Sequence, residues 1–323
     1  MRLLIVKTSS LGDVIHALSA VTDAAAASPG LACDWLVEEA YREVPAWHPA
    51  IRRVIPCALR RWRRAPLAAW RSGEWSRFRA DLRRDAYDLV LDAQGLLKSA
   101  FLAAQARGPV AGRSFGSARE PLAALFFRYR IPVDDTGQNE VEQARELFAK
   151  ALGYERPATP ADFGIDPSRF ARADPSPYAV LVHGAGWLTK LWPEDRWQSL
   201  GKQIASAGLK VKLPWGSDEE RARAGRIAAA CGGEVLPRME IGSLAPLLAG
   251  ARFVVGLDTG LTHLSVALGV RTLALYGPTT PVLDRVGRGE LVNLCSTQEW
   301  TIDTRRPNTV PLEQAQAAVA RWL

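Results

Sequence analysis

Only four of the 323 residues are cysteine, and Cys33, Cys57, Cys231 and Cys295 stand far apart with no C-x-x-C pair. Their spacing indicates neither a disulfide framework nor a zinc site, and ordinary buried thiols are the expectation. No stretch reaches the roughly 18 uninterrupted apolar residues of a membrane span. The opening residues have a charge and a very short apolar run without a small-residue cleavage site, so a cytoplasmic protein is expected. Also absent are the G-x-x-x-x-G-K-[ST] phosphate loop and a full G-x-G-x-x-G fingerprint with its downstream acid. The first absence excludes a P-loop enzyme, and the second disfavours a nicotinamide oxidoreductase. No D-x-D cluster stands beside the loops described below, so no metal is called for.

What is present suits a folded, soluble protein: 48% of residues are hydrophobic and 23% charged, proportions that exclude general disorder. The length exceeds the roughly 250 to 300 residues at which single cores tend to split, which predicts two domains. With 41 Lys plus Arg against 34 Asp plus Glu, the net charge is +7. An anionic partner is implied.

Apolar runs alternate with helix-like stretches along the first half. Strands are predicted over 2–7, 33–37, 54–56 and 88–92, with helices over 14–27 and 96–107. Pro157, Pro160, Pro167, Pro175 and Pro177 then fall close together and interrupt regular structure, placing a linker over 157–177. The pattern restarts with strands over 178–183, 209–214 and 252–256 and helices over 194–208, 219–230 and 243–250. Such alternation implies parallel sheets covered on both faces. The expected organisation is a Rossmann-like domain over 1–156, the linker, a second over 178–310, and a terminal helix over 311–323 that could pack back onto the first domain. Two such sheets would face each other across a cleft, which is the default ligand site.

Three loops follow strands and precede helices. In V-G-L-D-T-G-L-T-H-L, from Val255, the first turn of a helix containing His263 leaves free N–H groups at Asp258, Thr259 and Gly260, where a phosphate could bind. The alternative is that Asp258 or Thr259 only caps that helix. In H-G-A-G-W-L-T-K, from His183, the small residues Gly184, Ala185 and Gly186 leave room for a ligand, and Lys190 offers a charge suited to phosphate or merely solvated. In K-T-S-S-L-G-D, from Lys7, Asp13 is either a helix cap or a general base facing a ligand.

Eleven arginines fall between Ile51 and Arg84, among them Arg52, Arg53, Arg60, Arg61, Arg63, Arg64 and Arg71, opposed in that window only by Glu74 and Asp81. Trp62, Trp70, Trp75 and Phe78 are interleaved. A solvated face, a nucleic-acid surface and a membrane interface all fit such a run.

Taken in order, M-R-L-L-I-V-K-T-S-S-L-G-D-V-I-H-A-L at the start, D-W-L-V-E-E from Asp34, L-R-R-W-R-R from Leu59, D-A-Q-G-L-L-K-S-A from Asp92, R-E-L-F-A-K-A-L-G-Y from Arg145, K-L-P-W-G from Lys212 and D-T-G-L-T-H-L from Asp258 resemble the lipopolysaccharide heptosyltransferases of glycosyltransferase family 9, specifically the type I group. The resemblance runs from Met1 to about Pro281 and outweighs nucleic-acid binding. It implies a GT-B fold and inverting transfer of L-glycero-D-manno-heptose from ADP-heptose to the first Kdo of Kdo2-lipid A, on the cytoplasmic face of the inner membrane. By that resemblance Asp13 matches the base and Lys190 a lysine near the donor diphosphate. Ala185, Gly186, Asp258, Thr259, Gly260 and His263 match the donor loops, Met239 a residue beside the adenine, and Glu219 or Glu220 a ribose-binding acid. Arg60, Arg61, Arg63, Arg64, Lys98 and Arg119 match basic positions near the acceptor. Two departures stand out: Ala185-Gly186 replaces hydroxyl residues common in relatives, and Asn139 stands where relatives carry His.

Overall fold

The computed structural model describes residues 1–134, 136–170, 174–282, 286–296 and 308–323. They divide into two units, Met1–Ile165 and Asp166–Leu323. In the first unit the strands are β1 (Arg2–Val6), β2 (Ala32–Glu38), β3 (Ile51–Cys57), β4 (Leu89–Asp92), β5 (Val110–Arg113) and β6 (Tyr129–Ile131), joined in the order β3-β2-β1-β4-β5-β6. Every pair is parallel. Leu3 to Val6 of the central strand are fully buried, because helices cover both faces of such a sheet; hence the uninterrupted apolar run rather than an alternating one.

The second unit repeats the plan with β7 (Tyr178–Val182), β8 (Lys210–Leu213), β9 (Glu234–Val235), β10 (Phe253–Leu257), β11 (Thr272–Tyr276) and β12 (Leu291–Cys295), ordered β12-β11-β10-β7-β8-β9. All of its pairs are parallel too. In each unit the first strand lies between the second and the fourth. The chain therefore reverses direction across the sheet between β1 and β4, and again between β7 and β10. Loops leaving those carboxyl ends diverge, and the crevice they leave is where open parallel sheets bind ligands.

The terminal helix, Leu312–Ala320, packs within the second unit, against the helix Glu194–Ser206 and the strands β11 and β12. Its Ala315 and Val319, with Val310 and Trp322, join a core containing Trp192 and Trp197, and Trp192 Nε1 donates to Val310 O at 2.8 Å. Within the stretch 157–177, Ala161, Phe163 and Ile165 are buried in the first unit. The arginine-rich window is not a featureless solvated face. It folds as three short helices, Leu59–Arg64, Pro66–Arg71 and Glu74–Leu82, whose Trp62, Ala69, Phe78 and Leu82 enter the first unit's core. Acids from inside and outside the window neutralise part of it. Arg52 and Arg53 meet buried Asp34, and Arg61 is held between Glu39 and Glu74.

Candidate active site

At the β7/β10 switch point the chain leaves β10 at Leu257 and enters the helix Gly260–Ala267 through Asp258 and Thr259. Thr259 is extended at the N-cap, but no side chain caps the helix. The first-turn N–H groups thus keep their donors for a ligand, with the positive end of the helix dipole behind them. The capping alternative for Asp258 does not hold, because its carboxylate is turned to other partners. Oδ2 accepts from Lys190 Nζ at 2.6 Å and Thr279 Oγ1 at 2.8 Å, and Oδ1 lies 3.1 Å from His263 Nε2. Burial alone would raise the Asp258 pKa, yet the His263 and Lys190 contacts outweigh it and hold the carboxyl well below its usual range. Asp258 is therefore a fixed anion that positions the Lys190 ammonium beside the open helix end.

Lys190 comes from the short turn Leu188–Lys190 after β7, and its ammonium also sits 5.3 Å over the Trp187 ring. Between β7 and that turn, Ala185 is half-buried against the core, while Gly186 is exposed with open space where a Cβ would stand. Glu220 Oε2 accepts from the Gly216 and Ser217 amides at 2.6 and 3.3 Å, closing a capping box at the start of the helix Asp218–Cys231. Its other oxygen would lie 2.3 Å from a Cβ at Gly184, so that position must be glycine for Glu220 to reach the end of β7. Glu219 is exposed on the same helix, and Met239 is half-buried in the loop before the helix Ile241–Ala249. Thr279 joined this site without being predicted; it lies just past β11, a strand absent from the sequence reading.

At the β1/β4 switch point of the first unit, Thr8 N and Oγ1 both donate to Gln94 Oε1, at 2.9 and 2.7 Å, and Lys7 Nζ donates to Ala93 O at 3.1 Å. Asp92 organises that turn through Oδ1, which accepts from the Gln94 and Gly95 amides and from Ser99 Oγ. Burial nevertheless pushes the Asp92 carboxyl up to about 6. Asp13 uses its two oxygens differently. As the third residue of the helix Leu11–Ala27 it closes a capping box, Oδ2 accepting from Ser10 N and Oγ at 2.8 Å each. Its Oδ1 faces Lys7 Nζ at 3.6 Å and Arg119 at 3.5 Å. Burial raises the Asp13 pKa, but Lys7 and the groups around it outweigh that and keep the carboxyl well below its usual range. Asp13 is thus ionised at neutral pH.

A small pocket collects Lys7, Asp13, His16, Gln94, Arg119 and Glu140, with Arg113 on its wall. Arg119 is bonded to Glu140, whose other oxygen lies 3.7 Å from His16 Nδ1. Lys98 Nζ reaches Ser9 Oγ at 3.5 Å beside Gln94. Of the predicted basic residues, then, Arg119 comes to Asp13 and Lys98 to Ser9 in the same loop. Arg60 instead meets Tyr41 and Arg61 its two glutamates, while Arg63 and Arg64 are exposed and form no ion pair among the described residues. His16, Arg113 and Glu140 were missed. Asn139 caps the helix Glu140–Leu152 through Oδ1, which accepts from Glu142 N at 3.0 Å, and so fixes where Glu140 begins.

Two six-stranded parallel sheets, each with a charged loop pair at its switch point, define a GT-B type glycosyltransferase. The family model described as glycosyltransferase family 9 (heptosyltransferase) matches residues 75–312. A lipopolysaccharide heptosyltransferase 1 of Pseudomonas aeruginosa is 54% identical over 284 residues, covering 87% of this chain and 80% of that protein. The structure of E. coli heptosyltransferase WaaC with ADP superposes with a TM-score of 0.89 at 41% identity, covering all of both chains. The same enzyme with ADP-2-deoxy-2-fluoro heptose gives 0.83 at 43%, covering 100% of this chain and 98% of that one. The chain belongs to glycosyltransferase family 9, the heptosyltransferases, and its activity is heptose transfer in synthesis of the lipopolysaccharide inner core.

Proposed function

We propose that the donor is ADP-L-glycero-D-manno-heptose, that the acceptor is the first Kdo of Kdo2-lipid A, and that transfer inverts the anomeric centre. The observation that carries this reading is the uncapped helix end beside the Lys190–Asp258–His263 arrangement, a preformed cradle for a diphosphate. The E. coli relative's complexes with ADP and a fluorinated ADP-heptose support the donor. Lys190 and the amides around Thr259 and Gly260 stabilise charge that develops on the diphosphate as the sugar leaves. They supply the positive charge the departing ADP needs, and the reading calls for no metal ion. Ala185 and Gly186 contribute backbone amides only, Met239 borders the adenine, and Glu220 rather than exposed Glu219 reaches toward the ribose.

Asp13 Oδ1 takes the proton of the attacking hydroxyl as that oxygen bonds to the anomeric carbon, and ADP departs from the opposite face, the geometry by which a base activates an inverting nucleophile. Kdo is an acidic sugar, and its carboxylate suits Lys7, Lys98 and Arg119. When Arg119 turns to that carboxylate, Asp13 loses part of what depresses its pKa and becomes the stronger base. Arg60, Arg61, Arg63 and Arg64 extend the basic surface toward the rest of the anionic acceptor. Work on a lipid-bound acceptor places the enzyme peripherally on the cytoplasmic face of the inner membrane.

Asp13→Asn tests the reading. Turnover should fall roughly 100-fold or more, the loss expected of a missing base, while ADP-heptose affinity stays near that of the parent. Retention of more than about a tenth of parental turnover would remove Asp13 from the role.

A further inference from the structure

The helices Leu59–Arg64, Pro66–Arg71 and Glu74–Leu82 enclose an apolar groove of about 380 Å³, lined by Trp62, Pro66, Ala69, Trp70, Trp75 and Phe101. That volume falls within the roughly 300–1,000 Å³ of ligand clefts. Inside it, Trp75 stacks on Phe101 at 5.9 Å and meets Trp62 edge-on at 5.6 Å. The surface around the groove runs against the usual direction of burial. On the Pro66–Arg71 helix it is Ala69 that faces the core, while Leu67 and Trp70 are 69% and 70% exposed. Phe101 continues the apolar surface along the helix Leu97–Ala103 to the turn Pro121–Phe126, which packs on that helix and leaves Leu122 and Leu125 59% and 64% exposed. A contiguous apolar face of this kind marks an interaction surface.

The charge beside it selects the occupant. Arg63 lines the groove, Arg64 and Arg71 are exposed on the same helices, and none of the three forms an ion pair among the described residues, whereas Arg52, Arg53 and Arg61 are all neutralised. Unpaired arginines around exposed Trp and Leu suit phosphate headgroups above acyl chains.

We infer that this face is the site by which the first unit seats on an anionic lipid bilayer, with Leu67 and Trp70 inserted among acyl chains, the groove receiving one chain, and Arg63, Arg64 and Arg71 on the lipid phosphates. The inference rests on the proposed membrane location and assigns that contact to particular residues. Neither Leu67 nor Trp70 belongs to the transfer machinery, and their exposure makes polar replacements tolerable to the fold.

The test is sedimentation with vesicles of phosphatidylglycerol and phosphatidylcholine, and of phosphatidylcholine alone, using the full chain and Leu67→Ser/Trp70→Ser. The parent should bind the anionic vesicles, and the double variant should bind them at least about tenfold more weakly, the scale set by withdrawing two large apolar side chains. Its melting temperature and its turnover on an acyl-free, water-soluble acceptor should match the parent's. Equal vesicle binding by parent and variant overturns the assignment of this face and leaves the membrane location standing. Failure of the parent to bind anionic vesicles removes both. Equal binding of the parent to neutral vesicles overturns the role of the arginines, and a concentration-dependent dimer abolished by the two substitutions gives the face to a second copy instead.

Discussion

Lys190→Ala probes the donor site most sharply, because the ammonium is held by one carboxylate 2.6 Å away and has a side chain only 19% exposed. Removing it has three consequences. A charge-assisted hydrogen bond to the diphosphate is worth about 1.5–3 kcal/mol, so ADP affinity should fall by about tenfold or more. Asp258 then faces the diphosphate as an uncompensated anion, which adds to the loss. In the proposed mechanism Lys190 also stabilises charge that grows on the diphosphate as the sugar leaves, and single donors of that kind are worth about 10²–10³ in kcat. The expected result is a kcat lower by about 100-fold, with a smaller effect on ADP binding. Stability should suffer less: Asp258 keeps His263 at 3.1 Å and Thr279 at 2.8 Å, so the cost is about 1–3 kcal/mol for one missing partner. Steady-state kinetics, ADP calorimetry and urea unfolding measure the three quantities separately. A variant whose kcat stays within about threefold of the parent's would refute the electrostatic role of Lys190.

Other outcomes follow from burial and close packing. His48 and His183 are buried, and burial lowers both to about 4 from an ordinary 6.5. The unfolded chain therefore binds more protons than the folded one between those values, and stability rises with pH across that window. On acidification from pH 6.5 toward 4 each histidine should cost up to about 3 kcal/mol; urea unfolding at pH 7 and pH 5 should show the decline, and a flat profile would contradict it. Gly256→Ala would set a Cβ 2.2 Å from Thr262 Oγ1 and 3.1 Å from the Val182 side chain. Since Thr262 Oγ1 anchors the loop by donating to Leu257 O at 2.6 Å, the substitution should cost about 1–3 kcal/mol of stability and weaken ADP binding, both measurable on one preparation. Parental values of both would show that the loop tolerates the intrusion.

The central strands were legible because burial on both faces writes an unbroken apolar run, as in Leu3 to Val6. β5 (Val110–Arg113) and β6 (Tyr129–Ile131) were not, being four and three residues long with Gly112 inside the first. β11 carries the ordinary composition of a buried strand, Thr-Leu-Ala-Leu-Tyr, and was available to be read. Strand-to-helix loops with Asp, Gly and Lys pointed to Asp13, Lys190 and Asp258 without settling what each carboxylate does. Local spacing identifies a helix cap, and it identified the one at Asp13, but it does not reveal that the second oxygen of the same group faces Lys7 and Arg119. Contacts such as Arg119 with Asp13, 106 residues apart, or Lys190 with Asp258, 68 apart, arise only when the sheet order brings separate loops to one switch point. The same holds for Glu140, whose place is set by the Asn139 cap and by packing of its helix against Leu11–Ala27. Conversely, the arginine count overstated the free charge, since the acids that quench Arg52, Arg53 and Arg61 come from β2, from the turn after it, from Glu74 and Asp81 within the window and from Asp85 just past it.

The measurement that bears most directly on the account is a transfer assay followed by mass spectrometry, with the purified chain, ADP-L-glycero-D-manno-heptose and either Kdo2-lipid A or its heptosylated product. The account predicts that Kdo2-lipid A gains the mass of one heptose with release of ADP, and that neither other sugar nucleotides nor the already heptosylated acceptor support comparable transfer. Transfer only to the heptosylated acceptor, or equal use of an unrelated sugar nucleotide, would contradict it.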